Sequence, residues 1–307
     1  MAAYSIAVDL GGTNLRAAVV DDSGKMLDKI SAPTNMPDGR EAVVSSLVGA
    51  IESLRGRWGG DSLAGIGVAV PGFILMEPGV IVGSNNMAAL ENYPIRDELS
   101  RRLATKVILE NDANAAALGE KWMGAGRDVQ DLVLLTLGTG IGGGIISGGK
   151  VLHGYVGMAG EIGHMTVDPV GNPCGCGNVG CLEKHASATA VVSMAKLLHL
   201  GEELDQEVTS EYVCKLAQAG DEKARMVFEC MGRALGLAIG NLVNIFNFPL
   251  YLLSGGMLPA WEFFAPPLLE EVRRRSFTYR NAKTRIEPAV LGNEAGLYGA
   301  AYLPFQA

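Results

Sequence analysis

Two stretches of the chain repeat one hydrophobic plan. "IAVDLGGTNLRAAVVDDSGKML" (6–27) and "VLLTLGTGIGGGIISGGKVL" (133–152) each pass from an apolar run through a Gly/Thr-rich turn into a second apolar or glycine-rich run, then to Gly-Lys and an apolar pair. Apolar runs joined by such turns predict β-hairpins, and their recurrence predicts a duplicated architecture. Glycine in these turns admits positive φ and leaves no Cβ between backbone N–H groups and a ligand.

Between the hairpins the pattern predicts a helix over 40–58, a buried strand over 63–70 ended by Pro71-Gly72, a helix over 95–104, a short strand over 107–109 and an Ala-rich helix from about Ala113. After the second hairpin come a cysteine-bearing segment, helices within 185–245, the strand "LYLLSGG" and a helix over 267–275. The closing "NEAGLYGAAYL" reads as a small-residue helix that crosses back onto the first half. Strands alternating with helices in this way predict α/β layers. The expected domains are 1–115 plus 293–307, and 116–292.

With 307 residues, 48% of them hydrophobic, the chain can build a substantial core. Its net charge of -8 repels phosphate backbones and anionic lipid heads, so neither nucleic acid nor a membrane is expected as a partner. "ALGLAIGNLVNIFNFPLYLL" (234–253) is uncharged and long enough to span a bilayer. Its Asn241, Asn244, Asn247 and Pro249 instead suit a buried helix that turns into a core strand. The first strand-like run opens at Tyr4 with no basic and apolar leader before it, and a cytoplasmic location is expected.

Three of the five cysteines fall within "PCGCGNVGCLEKH" (173–185). In a reducing compartment clustered thiols bind metal or do redox chemistry more often than they pair. Zinc takes four Cys/His ligands in a tetrahedron; Cys174, Cys176 and Cys181 supply three, with His164 as the fourth. Four protein ligands close the shell, so this zinc is structural, and it would hold Glu161 and Glu183 rigidly near one another. Cys214 and Cys230 read as ordinary helix residues.

Three apolar runs end in glycine-rich turns, "VDLGGTN", "LTLGTGIGGG" and "LLSGG", which can cradle a polyphosphate on backbone donors. Two look-alikes fail. "GTGIGG" fits a dinucleotide fingerprint, with Glu161 downstream, but a glycine-broken strand follows where a helix is required. "GIISGGKV" nearly fits a P-loop, but Val151 stands where a magnesium-binding hydroxyl belongs. In "LENDANAAALGE", Asn111 or Asp112 reads as a helix N-cap. Asp112 also follows a buried strand, where α/β proteins gather ligands, and a carboxylate there can accept a proton from an attacking hydroxyl.

Taken together, "DLGGTN", "VPG", "ENDANAAALGE", "LGTGIGGG", "GEIGHMTV", "CGCGNVGCLE" and "LSGG" resemble the ROK family of repressors, open-reading-frame proteins and sugar kinases. That family has the actin-like, RNase H-type ATPase fold, duplicated α/β domains with a cleft between them. "CLEKHASATAVV" and the cysteine pattern are most similar to its bacterial glucokinases. The resemblance implies phosphorylation of a hexose 6-hydroxyl by ATP, with Mg²⁺ and a structural Zn²⁺, in a homodimer or homotetramer. It implies Asp112 as general base and Gly72, Asn86, Asn111, Glu161, His164 and Glu183 as sugar contacts, His164 serving zinc and sugar through its two ring nitrogens. Gly11, Gly12, Thr13, Asn14, Gly138, Thr139 and Gly140 would line the phosphates, Asp9 would place Mg²⁺, and Gly255 and Gly256 would face the adenosine. "SNNMAALENYP" departs from the family in lacking the Pro-Gly-Trp often found after the sugar-binding Asn. An N-acetylhexosamine kinase, a sugar-sensing regulator and a zinc-stabilised interaction module stand as alternatives.

Overall fold

The structure, a computed structural model, describes residues 3–83, 87–202 and 207–306. The first half contains β1 (Tyr4–Leu10), β2 (Asn14–Asp21), β3 (Met26–Pro33), α1 (Arg40–Trp58), β4 (Leu63–Val70), β5 (Phe73–Leu75), β6 (Val80–Val82), α2 (Ile95–Leu103), β7 (Val107–Asn111) and α3 (Asp112–Met123). The second contains β8 (Leu132–Leu137), β9 (Ile141–Ser147), β10 (Lys150–Val151), α4 (Glu183–Ala186), α5 (Ala188–Leu197), α6 (Ser210–Gln218), α7 (Glu222–Phe246), β11 (Leu250–Ser254), α8 (Trp261–Arg275), β12 (Arg285–Pro288) and α9 (Ala295–Gln306).

The hydrophobic repeat becomes a repeat of topology. One five-stranded sheet runs β3-β2-β1-β4-β7 and the other β10-β9-β8-β11-β12, so each half follows the order third, second, first, fourth, fifth. In the first sheet β2 pairs antiparallel with β1 and β3, and β1, β4 and β7 are mutually parallel. In the second, β8, β11 and β12 are the parallel trio.

The pleat of β1 sorts its residues by size. Ile6, Val8 and Leu10 enter the core cluster that holds Val43, Val44, Leu47 and Ile51 of α1. Ala7, on the opposite face, joins Ala18, Ala69, Ala115 of α3 and Leu297, Ala300 and Ala301 of α9. Small residues on that face let α9 come so close that a Cβ on Gly67 would overlap the Ala300 carbonyl. Alternation puts Asp9 on the α9 side, where the Cβ position of Gly296 lies 3.5 Å from its carboxylate.

The chain divides into two compact units, one of 1–130, 144–160 and 290–307, the other of 131–143 and 161–289. α9 belongs to the first unit, where it lies against α3, β1 and β4. α3 lies whole in that unit too, whereas a limit at 115/116 falls inside this helix.

The end of β7 and the start of α8 differ from the sequence reading. β7 continues two residues beyond Leu109, because pairing of Val70 with Asn111 extends the ladder with β4. α8 begins at Trp261, not at Pro267, and keeps Pro266 and Pro267 inside it. Each proline forfeits an intrahelical donor; burial of Phe264, Ala265, Leu268 and Val272, with Gly232 of α7 receiving the Phe264 carbonyl and the Pro267 ring, outweighs that loss. α7 is long and apolar enough to cross a membrane by composition, yet most of its apolar stretch is buried. It ends at Asn247, whose φ of 52° reverses the chain into β11, a fully buried strand.

Candidate active site and metal centre

In the first unit the carboxyl ends of three parallel strands converge. Asp9 pairs in register with Ala69, and Val70 with Asn111, so Asp9 and Asn111 stand at one edge of the sheet, the edge at which α/β sheets bind ligands. The hairpin turn after β1 closes by Gly11 N–H donating to the Asn14 carbonyl at 2.9 Å, which leaves Gly12, Thr13 and Asn14 exposed. Thr34, fully buried and without a signal in the sequence, pins this turn: its N–H donates to the Thr13 carbonyl and its hydroxyl to the Gly11 carbonyl. Arg16, opposite Asp9 in the ladder, donates to the Asp9 carboxylate.

At the β7–α3 junction the two capping candidates separate. The Asn111 side-chain oxygen accepts from the N–H groups of Ala113 and Asn114, and its amide donates to the Gly72 carbonyl at 3.1 Å. Gly72, with φ of 103°, turns that carbonyl toward Asn111 in a conformation suited to glycine. Asn111 is therefore the cap. Asp112 opens the helix, its Oδ1 accepting from the next N–H. Its side chain stays reachable by water, yet the protein crowding around it displaces enough hydration to push its carboxyl up to about 6. The Ala113 N–H opposes this rise and the like charge of Asp9 adds to it. At neutral pH the group is ionised but basic enough to accept a proton.

In the second unit β8 and β11 run side by side, Thr136 opposite Ser254, so their glycine turns are neighbours. Gly138 N–H donates to the Gly140 carbonyl, and the turn is held from α5: Ala188 N–H donates to the Gly138 carbonyl and the Thr189 hydroxyl to the Thr139 carbonyl at 2.7 Å. Gly255, with φ of 99°, lies against Leu137; Gly138 and Gly256 face open space. A cavity of about 180 Å³ beside Gly256 is lined also by Glu211, Cys214 and Lys215 of α6 and by Met257 and Pro259. The sequence reading missed the α6 residues because their glycine partners lie some forty positions downstream.

The cysteine segment folds around its ligands. Cys174 N–H donates to the Asn178 carbonyl and Gly177 N–H to the Cys174 carbonyl, a tight turn that gathers Cys174 and Cys176. Bridges of Thr166 with Cys181 and of Pro173 with Val179 bring up the rest. One ligand atom from each of His164, Cys174, Cys176 and Cys181 lies within 4.8 Å of all the others. The Cys176 and Cys181 sulfurs are 3.6 Å apart, and the Cys174 sulfur is 3.7 Å from His164 Nδ1. A tetrahedron with zinc–sulfur bonds of about 2.3 Å has edges of about 3.8 Å, so both the spacing and the donor set fit zinc.

The same centre fixes two acids. His164 Nε2, on the ring side away from Cys174, lies 4.0 Å from Glu161 Oε2, and the Cys174 thiol lies 3.3 Å from Glu183 Oε1. The Cβ position of Gly140 is 2.9 Å from Glu183 Oε2, which links the phosphate-type turn to the metal loop. The first unit thus brings together Asp9, Gly72, Asn111 and Asp112, and the second Glu161, His164, Glu183 and the three cysteines. Asn86 lies outside the described residues.

Two α/β units with one strand order, each closing its central strands with glycine-rich turns, define the actin-like, RNase H-type ATPase fold. Residues 5–307 match the ROK family, and the chain belongs to it. It is 38% identical to a glucokinase of Halalkalibacterium halodurans, over 98% of this chain and 94% of that protein. Among solved structures it is similar to a ROK hexokinase from Thermus thermophilus (37% identity, 99% of both chains, TM-score 0.88). It is also similar to a ROK glucokinase from Streptomyces griseus in complex with glucose and AMPPNP (32% identity, 99% of this chain and 100% of that one, TM-score 0.79).

Proposed function

We propose that the chain is a cytoplasmic glucokinase that transfers the γ-phosphoryl group of ATP to the 6-hydroxyl of glucose. One observation carries the reading: Asp112 is a water-accessible carboxylate at the carboxyl edge of a parallel sheet, spared from capping by Asn111 and tuned to about 6. The likeness to glucokinases over nearly the whole chain supports it.

Asp112 accepts the proton of the 6-hydroxyl as that oxygen attacks phosphorus. Asn111, held by the Gly72 carbonyl, orients the sugar beside it. Glu161, Glu183 and His164 Nε2 receive or donate hydrogen bonds to the other hydroxyls, their positions fixed by the zinc ligands. The turns at 11–14 and 138–140 present backbone donors to the phosphates, and the α6 cavity beside Gly256 takes the adenine. Asp9 would hold Mg²⁺, which would supply charge neutralisation at the phosphates. Little covalent chemistry is asked of the protein; alignment and charge stabilisation supply most of the rate.

A coupled ADP-release assay over glucose, N-acetylglucosamine, N-acetylmannosamine, mannose and fructose tests this. Glucose should give the highest kcat/KM and a 6-phosphate product; higher turnover on either N-acetylhexosamine would reassign the substrate.

A further inference from the structure

Glu110 is 1% exposed at the end of β7, immediately before the two residues assigned to sugar and proton. A carboxylate buried so deeply requires partners on every side. Its Oε1 accepts from the Asn111 N–H and from Asn114 Nδ2, both at 3.0 Å, and its Oε2 meets His153 Nε2 at 2.7 Å. The carboxylate therefore ties three pieces of the first unit: the last peptide of β7, the first turn of α3, and the segment after β10.

His153 anchors that segment in turn. Its carbonyl accepts from the Ala159 N–H, closing a loop whose Gly157 lies against the Ile74 carbonyl. The loop ends at Gly160, one residue before Glu161. Hydrogen bonding to Glu110 raises the His153 pKa, so the imidazole favours its charged form and compensates the buried carboxylate.

We infer that Glu110 and His153 form a positioning pair for the phosphoryl transfer, holding the Asn111–Asp112 peptide at the angle that aims the base. The inference rests on the proposed kinase reading. Neither side chain touches substrate; the pair acts through the Asn111 N–H, the Asn114 amide and the loop ahead of Glu161. Misalignment of a base by about 1 Å can lower the rate on the order of a hundredfold, whereas the glycine turns assigned to the nucleotide make no contact with the pair.

The test is a split between kcat and KM in the full-length, zinc-loaded protein. Glu110→Ala should lower kcat by roughly 10- to 100-fold while KM for ATP stays within about threefold. Glu110→Gln, which can still accept from Asn111 and Asn114 and donate to a neutral His153, should restore most of that loss. Should Glu110→Ala fail to fold, His153→Ala carries the test, because that side chain is 35% exposed; it should lower kcat at least about threefold with KM for ATP unchanged. A folded Glu110→Ala or His153→Ala protein with wild-type kcat would overturn the inference and leave the kinase assignment standing. Wild-type protein that releases no ADP with any hexose would overturn the kinase reading, and this inference with it.

Discussion

At the end of β1 in one unit stands Asp9; at the matching place in β8 of the other, one residue before Leu-Gly, stands Thr136. The two sheets share a strand order, and the glycine turns that follow each span three residues between strands. The first unit carries acids at its sheet edge, Asp9 and Asp112, with Asn111 between strand and helix. The Thr136 hydroxyl accepts from the Gly142 N–H at 3.2 Å, and the second unit gathers its acids on a metal-fitted loop instead. Strand order depends on a repeated apolar pattern that both halves must keep to bury their sheets. Side chains at the carboxyl edge face ligands rather than core, so they diverge without disturbing it.

The sharpest way to break this division of labour is Asp112→Asn in the first unit. It keeps size but cannot take a proton, so kcat should fall by about 10²- to 10⁴-fold, with glucose affinity changed far less. The wild-type acid limb near pH 6 should vanish from the residual activity. The folded pKa of Asp112 lies above its ordinary 3.8, so its ionisation weakens the fold as pH rises through about 6. The variant should therefore melt no lower than wild type at neutral pH. A near-normal kcat would make Asp112 a helix residue and nothing more.

Gly138→Val probes the second unit's turn. A Cβ there meets no protein atom within 4 Å, so the added bulk obstructs ligand rather than fold. KM for ATP should rise roughly 10- to 100-fold, the equivalent of losing one or two charge-assisted hydrogen bonds. Calorimetric glucose affinity should hold; an equal loss of both would indicate a folding defect.

Cys176→Ser tests the metal loop. Metal analysis of the wild-type protein should find about one zinc per chain. The variant should lose most of it, bind glucose roughly tenfold more weakly through loosened Glu161 and Glu183, and melt roughly 5 °C lower. A metal-free variant with full activity would sever the acids from the zinc.

The smallest effect concerns stability alone. His153 has a raised pKa, so its contribution is fully present below its ordinary 6.5 and is lost as pH rises through the raised value. His153→Ala should lower the melting temperature by roughly 2 °C more at pH 6 than at pH 9. An equal decrement at both would show that the ion pair adds nothing beyond its hydrogen bond.

The duplicated hairpins, the α1 and β4 limits, the burial of α7 and the gathering of His164 with the three cysteines were legible because each follows from neighbours close in sequence. Apolar periodicity and turn glycines act over a few residues, and three of the four clustered residues fall within eight positions. The choice of Asn111 over Asp112 as cap was not legible: both types cap helices equally well, and the carbonyl of Gly72, in the turn after β4, decided it. Nor was the start of α8, where packing on α7 overrides the prolines, or the locking of the first turn by Thr34. Glu110 and His153, separated by 43 positions, each look like an ordinary surface residue until β7 and the post-β10 loop meet. Local pattern sets which elements form and where their turns fall; which side chains keep a free proton acceptor depends on partners supplied across the fold, and those only tertiary contact assigns.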